Sequence, residues 1–157
     1  MTLSKTTWRA IALVVAGTFF WLATRVDLYN ATSPRALSRM LFGPEVIQFA
    51  HPWWLSLHIW LRKAYSIIAF AIVGYAANQA LNPSARPALR MSLCVAAYSL
   101  GIEVAQRIFV AHEPELESAL DVGCGALGGW LAVAADRRLR ARAAARAAAM
   151  LRVARDG

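Results

Sequence analysis

Residues 64–81 read AYSIIAFAIVGYAANQAL, eighteen positions without a single charge. A helix needs roughly 20 apolar residues, with a usual range of about 17–25, to cross the hydrocarbon core of a bilayer. The block opens directly after Arg62-Lys63 and closes on Asn82-Pro83-Ser84, a combination that stops a helix. Its apolarity is continuous, which excludes the alternation of a barrel strand. Lipid offers no partners to backbone groups, so the block reads as a membrane-crossing helix.

Three further blocks of the same kind lie around it. The first spans about Ala10 to Leu28 and holds Arg25 and Asp27 near its end. Another starts near Pro87, a residue suited to a first helical turn, and extends to about Ala111. The last runs from about Ala119 to Ala135 and carries Asp121 with glycines at 123, 125, 128 and 129. The fold class is therefore an all-α integral membrane bundle of four transmembrane helices over residues 1–136, followed by a basic tail over 137–157. The N-terminal block also resembles a secretory signal peptide, but Trp21-Leu22-Ala23 is bulky where cleavage wants small residues. A retained first helix is the reading adopted.

Composition agrees. The chain is 59% hydrophobic, with 17 Lys and Arg against 9 Asp and Glu. A nucleic-acid binder would explain the net charge of +8 but not the long apolar blocks between the cations. No nucleic-acid partner, cofactor or metal is expected, and Cys94 and Cys124 lack metal-ligand spacing.

The connection from about Tyr29 to Lys63 contains Ser33-Pro34, an N-cap followed by a first-turn proline, and Gly43-Pro44, which would end that short helix. Downstream, His51-Pro52-Trp53-Trp54 and Trp60 predict a tryptophan-rich loop at the membrane interface. The tail carries arginines 137, 138, 140, 142, 146, 152 and 155 among alanines. It predicts a cytoplasmic helix resting on anionic lipid headgroups. Four crossings put both termini on one side, with eleven of the 17 cations: two before the first helix, two between the second and third, seven in the tail. The positive-inside rule assigns that side to the cytoplasm of a cytoplasmic (inner) membrane.

Charges within a bilayer are costly and face the bundle interior. At about 1.5 Å per residue, Glu103 lies roughly 12 Å below the outer boundary and Arg107 roughly 6 Å. On the same scale Asp121 lies about 5 Å down, Arg25 about 8 Å and Asp27 about 5 Å. All converge on the outer leaflet. Glu103 and Arg107 are i, i+4, and Gln106 sits beside Arg107. Gly125, Gly128 and Gly129 let a neighbouring helix approach. The expectation is that the third helix packs on that face, with Arg107 bridging Glu103 and Asp121. Such a cluster either ties helices together or forms a ligand-binding site. No serine, cysteine or histidine shows nucleophile-plus-base spacing, so enzyme activity is not the leading reading.

Glu103-x-x-Gln106, then Asp121, then Gly125-Ala126-Leu127-Gly128 resembles the VanZ-like family, over roughly Ala64 to Ala135. Members are small multi-helix membrane proteins; the founding one is associated with resistance to the glycopeptide teicoplanin, and others lie near exopolysaccharide genes. The resemblance implies a cell-envelope lipid or a glycopeptide-antibiotic-related molecule as ligand. It leaves two alternatives: an intramembrane enzyme on a prenyl-phosphate or peptidoglycan precursor, or an accessory subunit of an envelope export system with a membrane protein partner. Two positions depart from the family. The last outer loop reads Glu113-Pro114-Glu115-Leu116-Glu117 where members often carry an arginine, and Gly125 stands where an asparagine often follows the aspartate. Arg107 is the candidate replacement for the missing cation.

Overall fold

Four helices make up the described part of the computed structural model, which covers residues 3–25, 52–109 and 115–156. They are α1 (Lys5–Ala23), α2 (Pro52–Ala80), α3 (Pro87–Phe109) and α4 (Glu115–Asp156). Asp27, the short helix expected after Ser33 and the loop residues 110–114 lie outside the described residues.

Local signals account for most of the helix ends. Ser4 caps α1, its Oγ accepting from the Thr7 backbone N–H at 3.1 Å. Thr24 closes the helix by donating its own N–H to the Phe20 carbonyl. Arg25 therefore lies past the helix end rather than within it. α2 stops just before Asn82-Pro83, and Pro87 begins α3.

Two elements depart from the sequence reading. The tryptophan-rich stretch is helical from Pro52 onward, not a loop, and is continuous with the apolar block after Lys63. Proline suits a first helical turn, and nothing between Trp53 and Ala80 breaks the backbone pattern. The arginine tail is likewise continuous with the last apolar block, so α4 runs 42 residues. That is about 63 Å, twice the thickness of a hydrocarbon core. No proline or glycine interrupts it after Gly129.

α4 is the axis of the bundle, with α2 and α3 packed along it and α1 laid against α2. Aromatic edges join α1 to α2: Trp8 meets Tyr75 at 6.0 Å and Phe19 meets Phe70 at 5.5 Å between ring centroids. Phe70, Val95 and Ile102 form the core, and Met91 is fully enclosed. The small residues of α4 set the closeness. A methyl added at Gly128 would sit 2.6 Å from the Phe70 Cβ of α2, and one at Gly129 would collide with the Met91 backbone of α3. At Gly125 the same atom would lie 2.7 Å from the Ser99 Cβ. Two helices thus touch α4 nearly backbone to backbone.

The outer surface is apolar. No residue of α1 is buried, and Leu13 is 75% exposed. On α3, Leu93, Leu100, Ile108 and Phe109 all face outward. Contiguous apolar area of that extent is not kept in water. Three helices, Lys5–Ala23, Pro87–Phe109 and the Ser118–Ala154 stretch of α4, are long and apolar enough to cross a membrane. The chain has the make-up of a multi-pass membrane protein.

Candidate functional site

Asp121 is one helical turn beyond Ser118 and one before Gly125, so all three share a face of α4. The contacts at Gly125 and Gly129 fix the antiparallel register against α3. Ser99 consequently lies beside Asp121 and donates its hydroxyl to the Asp121 carbonyl oxygen at 2.9 Å. Glu103 follows Ser99 by one turn on the same side of α3 and is buried, only 6% exposed.

The cation that meets Asp121 comes from α2. Lys63 Nζ lies 2.6 Å from Asp121 Oδ2, and both side chains are about nine-tenths hidden. Arg107, expected to bridge Glu103 and Asp121, is exposed instead. The register explains this. Arg107 lies two turns past Ser99, about 12 Å along the axis, and has overrun the level of Asp121. Lys63, at the last charged position before the apolar block of α2, arrives at the right height.

The other predicted residues distribute around this pair. Gln106 turns toward α1 and donates from Nε2 to the Ala23 carbonyl at 2.8 Å, satisfying one of the carbonyls that the end of α1 leaves open. Tyr98 also ties α3 to α1, donating its hydroxyl to the Ala16 carbonyl in the interior of that helix at 2.6 Å. Arg25 stacks its guanidinium over Trp21, 4.8 Å from the ring centroid, away from the buried pair. The structure thus joins Ser99 and Lys63 to Asp121, with Glu103 buried one turn along from Ser99, and leaves Arg25 and Arg107 exposed.

Sequence reasoning passed over Lys63, Ser99 and Ser118. Lys63 was counted as a boundary charge. On the depth scale used for Asp121, Lys63 lies only about 5 Å away, within reach of a lysine's long stem. Ser118 is the more telling omission: its Oγ is buried and has no hydrogen-bond partner among the described residues. An orphaned buried hydroxyl costs about 1–3 kcal/mol. It stands one turn from a carboxylate that carries an ion pair, at the end of the bundle opposite the tail.

The chemistry available is recognition of a polar group. The cluster offers a lysine ammonium held on a carboxylate, a second buried carboxyl and one unclaimed hydroxyl. Comparison with family models, curated proteins and solved structures finds no match to this chain.

Proposed function

We propose that the chain is a VanZ-like protein of the cytoplasmic (inner) membrane that crosses it four times, with both ends in the cytoplasm. Its outer-leaflet site binds the polar head of a cell-envelope lipid or a glycopeptide-antibiotic-related ligand. The buried Lys63–Asp121 pair beside the orphaned Ser118 hydroxyl carries this reading. A clasp that only joined α2 to α4 needs the ion pair and leaves no reason for the hydroxyl. With the arginine tail in the cytoplasm, the pair falls just under the opposite surface.

The test replaces the whole pair. Removing one partner of a buried pair strands the other, whereas replacing both with apolar residues is often neutral or stabilising. The variant carrying Lys63→Met and Asp121→Leu should accumulate like the wild type yet fail to confer teicoplanin tolerance on a susceptible host. Mass spectrometry of lipids co-purifying with each form should show an envelope lipid with the wild type that the variant lacks. A double variant with both properties intact would reduce the pair to a helix clasp.

A further inference from the structure

The opposite end of the bundle holds a second polar construction, independent of the site above. A cleft of about 880 Å³ opens where α1 begins, α2 ends, α3 begins and α4 leaves the apolar region. Four cations line it, Lys5, Arg90, Arg137 and Arg140, against one carboxylate, Asp136. Asp136 is already committed. It accepts from Gln79 Nε2 at 2.7 Å and Asn78 Nδ2 at 3.2 Å, and pairs with Arg140 at 3.0 Å.

Of the other three cations, Arg137 is exposed, and two are held in place by groups that do not neutralise them. Lys5 Nζ donates to Asn82 Oδ1 at 3.0 Å, and Arg90 Nη1 donates to the Asn82 carbonyl at 2.6 Å. Neither acceptor carries a formal charge. Arg90 Nε is buried in the wall of the cleft and has no hydrogen-bond partner among the described residues. The first turn of α3, starting at Pro87, lines the same cleft and adds the positive end of its dipole. Trp8, Tyr75 and Leu139 supply apolar wall. Fixed cations, an unclaimed guanidinium N–H and an apolar flank together fit a phosphate group attached to something greasy.

We infer that this cleft binds a phosphate group, presented by the head of an anionic phospholipid or by a soluble phosphate. Arg90 and Arg137 are its principal contacts. This differs from a tail lying loosely on a charged surface, because it assigns binding to a built pocket with a stoichiometry of one.

The test uses the full chain in neutral detergent, titrated with dioleoyl phosphatidylglycerol and read by native mass spectrometry. Phosphatidylcholine and inorganic phosphate form the other arms. One tightly held phosphatidylglycerol is expected, with phosphatidylcholine binding at least tenfold weaker. Displacement by millimolar inorganic phosphate would assign the site to soluble phosphate, and resistance to it would assign the site to lipid; both support the cleft. Arg137→Gln, on an exposed helical position, should weaken binding about tenfold without touching the fold. Arg90→Gln should do at least as much. Arg146→Gln removes the same charge further along the tail and should change binding less than twofold. Equal losses from Arg146→Gln and Arg137→Gln would overturn the proposal, as would equal affinity for phosphatidylcholine.

Discussion

Two aspartates on one helix meet opposite fates. Asp121 and Asp136 both lie on α4, some 22 Å apart along its axis. Asp121 is paired with a lysine from another helix, and both side chains are nearly inaccessible. Asp136 is equally buried, but its cation is Arg140 of its own helix, whose side chain is 68% exposed, and two amides from α2 complete its shell. Asp121 is balanced by a buried cation from another helix; Asp136 shares its charge among neutral donors and a solvated arginine. A buried pair with one partner removed is costly, and an exposed pair is worth little. The two ends should therefore respond very differently to the same kind of substitution.

The largest effect belongs to Lys63. Lys63→Met strands Asp121 inside the bundle and should lower stability by about 3–5 kcal/mol. Thermal unfolding in detergent, or the amount of folded protein in the membrane, measures it. Adding Asp121→Leu should recover most of the loss. A single variant as stable as the wild type would mean that Asp121 finds another partner, and the contrast between the two ends would weaken.

How much of this could be read beforehand follows from what each residue's signal depends on. The all-helical class came from continuous apolar runs, which need no tertiary information. The ends at Asn82-Pro83 and Pro87 came from proline chemistry, which is equally local. The helical start at Pro52 was hidden because tryptophans read as an interfacial loop, although tryptophan is compatible with either state. The partner of Asp121 was out of reach for another reason. An i, i+4 relation proposes Arg107 from within one helix, but which cation reaches Asp121 depends on the register between helices. That register is set where Gly125 and Gly129 meet Ser99 and Met91, and sequence shows the glycines without showing what they touch. Asp136 was overlooked among its arginines, yet the adjacent amides Asn78-Gln79 near the end of an apolar helix were a usable hint.

An intermediate effect tests the packing that creates the register. Gly129→Ala places a methyl against the Met91 backbone, and backbone cannot rotate away as a side chain can. The expected loss is about 1–3 kcal/mol. Gly123→Ala is the matched control, since an added methyl there meets nothing within 4 Å. It should be neutral, or should gain up to about 1 kcal/mol from helix propensity. If the two substitutions behaved alike, α3 would not be seated on α4 as closely as described. The Ser99 hydrogen bond to the Asp121 carbonyl would then lose its basis as well.

The smallest effect should come from Arg140, and it sharpens the comparison because its partner is as buried as Asp121. Arg140→Ala removes a charge from a carboxylate just as Lys63→Met does. Yet Asp136 keeps the amide donors of Asn78 and Gln79, and the lost arginine was mostly in solvent. The cost should stay below about 1 kcal/mol and shrink further in high salt. Asp136→Ala is the informative reverse. It leaves two amides without their acceptor and should cost about 1–3 kcal/mol, more than its cation does. If Arg140→Ala instead proved as damaging as Lys63→Met, the ion pair would outweigh the amides at this end. The difference between the two aspartates would then lie in the number of neighbours and not in how their charge is balanced.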